Sequence, residues 1–96
     1  MYATITKLQI KAEEQAVEAV EGLSVLLDEA GGLPGLLQGR VVRSGPRELV
    51  MVTVYESEAA AEAAGARMRP RLGETIGPIV TGAPDRWGGP VVAAWP

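Results

Sequence analysis

The first stretch, Tyr2 to Ile10, is rich in β-branched residues (Thr4, Ile5, Thr6, Ile10) and free of Gly and Pro, which predicts a strand. Lys7 and Gln9 share a face with Ala3 and Ile5, so the outer end of that side is wet. From Glu13 to Ala30 the apolar spacing lengthens to that of a helix. Val17, Val20, Leu23, Leu27 and Ala30 recur at three and four, and Leu26 widens the stripe. Glu13 and Glu14 suit the positive end of the helix dipole. Gly31-Gly32 offers a left-handed stop and Pro34 forbids resumption.

Two further strands are predicted at about Leu36 to Arg43 and Glu48 to Tyr55. The turn Ser44-Gly45-Pro46-Arg47 joins them as an antiparallel hairpin. Ser57 then caps a second helix with Glu58 in its first turn. That helix is thin: Ala61, Ala64 and Met68 form its apolar face, and Pro70 is expected to end or kink it. Arg67, Arg69 and Arg71 follow the alanine-rich segment and form a basic cluster, where a helix C-terminus favours cations; a phosphate or carboxylate contact is the alternative. The chain to Ile79 reads as an irregular helical turn. Gly82, Pro84, Gly88, Gly89 and Pro90 read as a loop before a last strand, Val91 to Trp95.

The resulting order, β-α-β-β-α-β, is the ferredoxin-like split βαβ arrangement: an α+β fold with a four-stranded antiparallel sheet and two helices on one face. At 96 residues it is a single domain spanning 1–96. The third strand adds a constraint. Val50, Val52 and Val54 point one way, while Leu49, Met51 and Tyr55 point the other, with only Thr53 polar between them. Such a strand is buried on both faces, yet two helices cover one. The uncovered face amounts to about 400 Å² from strand spacing alone, at the upper end of the apolar patches that monomers expose. Its expected cover is a second copy, giving a homodimer joined through the sheet.

Composition narrows the chemistry. The chain has no Cys and no His, and Asn and Phe are absent too. Disulfides, thiolate nucleophiles, Cys/His metal centres and imidazole-based triads are thereby excluded, and no metal or cofactor is expected. Net charge is −3, and the third strand carries one aromatic and no base, which argues against a nucleic-acid partner. Gly31, Gly32, Gly35 and Gly39 lack the dinucleotide-binding spacing and precede a strand. No apolar run approaches the roughly 20 residues that cross a bilayer, and the amino terminus lacks a targeting pattern. The expectation is a cytoplasmic protein with no membrane partner.

Pro34-Gly35-Leu36 with Gly39, and Val54-Tyr55-Glu56-Ser57 followed by Glu62-Ala63, carry a resemblance over nearly the whole chain. The layout resembles the dimeric α+β barrel superfamily, in particular the antibiotic biosynthesis monooxygenase-like domains, where an aromatic such as Tyr55 commonly ends the third strand. That resemblance implies cofactor-free oxidation of small aromatic or polyketide-type compounds, haem degradation, or isomerase chemistry. Haem-degrading members resemble one another in an Asn, Trp and His set, which this chain cannot supply. The alternative is a non-catalytic small-molecule-binding or structural dimer.

Cofactor-free oxygenation needs an apolar pocket, an aromatic wall and a stabiliser for an anion. The candidate ligand-binding residues are Tyr55 for a phenol, Met51 as lining, Arg40 or Arg86 for a fixed cation, and Trp87 for a stacking wall. No catalytic residue is assigned. Glu56 is the nearest carboxylate for a base, although strand parity puts it with the valine face. Each residue also has a plainer role: Tyr55 as a packed aromatic, Arg40 as a strand-surface charge, Trp87 as a barrel cap or partner contact.

Overall fold

A computed structural model describes all of residues 1–96. The chain folds as β1 (Tyr2–Gln9), α1 (Ala16–Gly31, led by a 3₁₀ turn at Glu13–Gln15), β2 (Leu36–Gly45), β3 (Glu48–Tyr55), α2 (Glu58–Ile76, followed by a 3₁₀ turn at Gly77–Ile79) and β4 (Asp85–Pro90). The sheet is antiparallel throughout, in the order β2-β3-β1-β4. This is the ferredoxin-like α+β layer expected from the element order. No helix is long and apolar enough to cross a membrane.

Register fixes which residues share a face. Tyr2, Thr4, Thr6 and Leu8 lie opposite Tyr55, Thr53, Met51 and Leu49. Leu8 and Leu49 are fully buried, so this is the face that the helices cover. A register shift at Leu37 sends Gln38, Arg40 and Val42 to the other face, opposite Val54, Val52 and Val50. Ala3 and Ile5 join them from β1, and Trp87, paired with Ile5, joins from β4.

The helices earn their places by packing. α1 buries Ala16, Ala19, Leu23, Leu26 and Ala30, a stripe displaced from the expected one: Val17 points to solvent and Leu27 is only half-buried. Ala16, Ala19, Leu23 and Leu26 meet Leu8, Ile10, Leu49, Leu72, Ile76, Ile79 and Val80 in one aliphatic core. A separate, smaller cluster forms at the other end of the sheet around Tyr55, Ala61 and Ala64, flanked by Tyr2, Leu33 and Leu36. Gly39 admits α1 to the sheet, because a Cβ there would lie 2.8 Å from Leu27 Cδ2.

Three expectations are corrected. α1 does not stop on a left-handed glycine: Gly32 keeps φ −82°, and the left-handed residue is Gly35 at φ +91°, where the chain turns into β2. Pro70 neither ends nor splits α2, which continues to Ile76. Burial of Leu72 and Ile76 in the main core outweighs the one backbone bond that proline removes. The last strand is Asp85–Pro90, not Val91–Trp95. β1 begins at Tyr2, which pairs with Pro90, so its partners are used up before the valines arrive, and only Val91 N–H still reaches Met1 O. The glycines read as loop serve close approach: a Cβ on Gly88 would meet Ala3 O and the Tyr2 ring at 3.0 Å. Val92 and Trp95 beyond it are 91% and 95% exposed.

The two helices cross closely at Gly22, where an added Cβ would sit 2.6 Å from Ile76 Cγ2. Gly22→Ala is expected to lower stability by about 1–3 kcal/mol through overpacking. Gly73→Ala adds a methyl in α2 that meets nothing within 4 Å, and is expected to raise stability by about 1 kcal/mol. Urea unfolding of the two variants checks both signs.

Candidate functional site

Between the two hydrophobic clusters the helix-covered face of the sheet is polar. Thr6 and Thr53 are buried there, and Thr53 Oγ1 is hydrogen-bonded to Thr4 Oγ1 at 2.5 Å. α2 passes over this strip with Ala61 and Gly65, too small to fill the space above it. The gap persists as two small cavities that share Met51, Tyr55, Met68 and Arg86. The larger, about 70 Å³, is bounded by the three threonines, Tyr55, Ala61, Gly65, Arg69 and Arg86. The smaller, about 40 Å³, extends beneath Leu26, Leu27, Ala30 and Leu72. An open recess of about 380 Å³ outside them is lined by Arg69, Leu72, Pro84 and Arg86.

Tyr55 is held by its place at the end of β3, between Tyr2 and Leu36 on the flanking strands. It is 5% exposed, yet its hydroxyl makes no hydrogen bond within the chain. Arg86 reaches the same space from β4, because strand parity puts it on the face of Thr6. Desolvation first, and the positive charge of Arg69 second, hold the Arg86 guanidinium below the usual arginine range, with Tyr55 pulling the other way. Arg69 is steered inward by Gly65: a Cβ there would lie 3.1 Å from Arg69 Nη2.

The structure divides the sequence-derived candidates between the two faces of the sheet. Tyr55 and Met51 meet in the interior, with Arg86 as the cation beside them. Arg40 and Trp87 lie on the open face. Arg40 is exposed and turns back to donate to Gly39 O at 2.8 Å; Trp87 is 51% exposed. Glu56 is solvent-exposed outside the interior, in a groove formed with Leu33, Pro34, Gly35, Ala60 and Arg67. The interior lining contains no carboxylate.

The three arginines of α2 do not sit at a helix C-terminus, because the helix continues past them to Ile76. They point to three places. Arg67 lines the outer groove and Arg69 the interior. Arg71 grips Glu29 of α1 through two bonds of 2.7 and 3.1 Å, and also Glu74 at 3.0 Å. The threonine strip was not singled out from sequence, and Arg69 was read only as one of three arginines at a helix C-terminus. The alternation Thr4, Thr6, Thr53 on the face of Leu8 and Leu49 was the available signal.

No protein-family model matches the chain, and no curated protein matches it. Solved structures do. A candidate antibiotic biosynthesis monooxygenase of Nitrosomonas europaea is similar at TM-score 0.83 and 14% identity, over 97% of this chain and 100% of that one. A second such candidate, from Caulobacter crescentus, is similar at TM-score 0.80 and 20% identity, over 96% and 90%. The cofactor-independent oxygenase SnoaB of Streptomyces nogalater is similar at TM-score 0.80 and 13% identity, over 99% and 96%. The chain therefore has the fold of antibiotic biosynthesis monooxygenase-like domains.

The threonine pair offers a test of how this polar strip is held. Thr53→Val is expected to cost about 1 kcal/mol or more, since it removes the partner of the Thr4 hydroxyl at a part-buried position. The double variant Thr4→Val with Thr53→Val is expected to recover most of that loss. Chemical denaturation of the four members of the cycle measures the coupling.

Proposed function

We propose that the chain binds a small aromatic or polyketide-type compound between α2 and the sheet, and oxygenates it without a metal or organic cofactor. The observation that carries this reading is the unfilled polar interior. Tyr55, Thr6 and Arg86 converge where a fold of this size places its packed centre, and none of the three side chains is hydrogen-bonded within the chain. The shared fold with a cofactor-independent oxygenase supports it.

The lining decides what chemistry is feasible. With no carboxylate or imidazole inside, the site has no strong proton acceptor near neutral pH. The substrate must ionise readily on its own, as a phenol conjugated to an activated methylene does. Arg86 then stabilises the anion and Tyr55 donates a hydrogen bond to it. In such a reaction the methylene loses two hydrogens and gains one oxygen atom of O₂ as a ketone, and the other oxygen leaves as water. The electrons come from the substrate. A fused-ring ligand needs about 300 Å³ or more, so it enters from the recess at Arg69 and Pro84 and displaces Met51 and Met68, whose unbranched side chains adapt readily.

A non-catalytic binding role is the second reading, favoured by the small volume and the missing base. Turnover of a hydroxy-anthrone in air, with metal and flavin excluded, separates the two. Oxygenation is expected, with Tyr55→Phe slower by about 10²-fold. An unchanged rate removes Tyr55 from the mechanism. No turnover, with a small molecule retained in the native mass spectrum, leaves binding alone.

The same reading includes a homodimer formed through the open sheet face. Val50, Val52, Val54, Ile5 and Val42 lie together there with Trp87, and no segment of the chain covers them. Arg40, Lys7 and Asp85 surround them, a polar rim around an apolar centre. Sedimentation at micromolar concentration is expected to give a particle of twice the chain mass, and Val52→Glu to give a folded single chain. A single-chain particle for the unmodified protein overturns the dimer.

A further inference from the structure

The mouth of the interior cavity is built from two guanidinium groups with no counter-charge. Arg69 and Arg86 line both the cavity and the recess outside it. The ion pairs of the chain use Lys7 with Glu48, and Arg71 with Glu29 and Glu74, and involve neither of these two arginines. The acid nearest in sequence, Asp85, sits on the opposite face of the sheet, paired with Lys7. In a chain of net charge −3, this opening is lined by two cations and no carboxylate.

Two like charges brought together at a partly desolvated opening repel, and the cost falls when an anion lies between them. Their placement here is built in. Gly65 leaves the space that Arg69 occupies, and Arg86 is aimed by its strand.

We propose that Arg69 and Arg86 form a clamp for a carboxylate, so that the compound taken up is an aromatic acid whose ring faces Met51 and Tyr55. This rests on reading the interior as a ligand site and adds the charge of the ligand to it. A carboxylate fits better than a phosphate. Phosphate sites draw on free backbone N–H groups at helix starts or glycine-rich turns, whereas Arg69 lies in mid-helix and Arg86 in a paired strand. Planar guanidinium groups match the two coplanar oxygens of a carboxylate.

The test is calorimetric titration of the purified protein with naphthoate and with the neutral isostere naphthamide, at low salt. The acid is expected to bind about tenfold or more tightly than the amide. Arg69→Gln and Arg86→Gln are each expected to bring that ratio to within about twofold of unity, given that a charge-assisted contact is lost. Arg67→Gln, two residues earlier in α2 and facing the outer groove, leaves the ratio unchanged. Both substituted arginines are solvent-exposed, so the variants fold, and either one suffices. Equal affinity for acid and amide in the unmodified protein overturns the clamp while leaving the interior as a binding site. Absence of binding by both overturns the clamp together with the interior reading.

Discussion

Everything distinctive about this molecule follows from a shortage of side-chain volume over one half of its sheet. An α+β layer is stable when helices fill the space above the strands. Over Leu8 and Leu49 they do, with leucines and isoleucine from both helices. Over Thr4, Thr6 and Thr53 the covering helix brings Ala61 and Gly65, with Met68 and Arg69 beside them, and the space is left unfilled. The sheet has adapted by turning polar there, with Thr4 and Thr53 satisfying one another. The main core carries the load that lets this half remain underfilled, and α2 runs through Pro70 to deliver Leu72 and Ile76 to it.

Much of this was legible in the sequence, because periodicity reports burial directly. The element order, the hairpin, the Ser57 cap and the division of β3 into two faces all came from spacing, and the cap is seen as Ser57 Oγ accepting from Ala60 N–H at 3.1 Å. Failures arose where pairing overrides local preference. Val91 and Val92 are better strand formers than Gly88 and Gly89, yet β1 offers partners only to the latter. Misplacing that strand also concealed the site. With β4 at Asp85–Pro90, parity alone puts Arg86 beside Tyr55 and Trp87 on the other side of the sheet. Arg69 was visible as one of three arginines, but its inward course was not, since it depends on the missing side chain of Gly65, one turn earlier.

β3 serves two different neighbours at once. Its Leu49, Met51, Thr53 and Tyr55 side meets the helices, and its valines face outward from the same backbone. Any displacement of Met51 and Tyr55 is felt along the strand whose reverse side carries Val50, Val52 and Val54. Interior volume and outer-face shape are thus linked through eight residues of one strand.

The placement of the indole groups has a practical corollary. The chain has two tryptophans; Trp87 lies on the valine side of the sheet and Trp95 on the tail beyond β4. Neither borders the interior. Their intrinsic emission is therefore a reporter stationed at the outer surface, one strand thickness from Tyr55, Met51 and Arg86. Spectroscopy excited at the red edge of protein absorption views the sheet from its outer side.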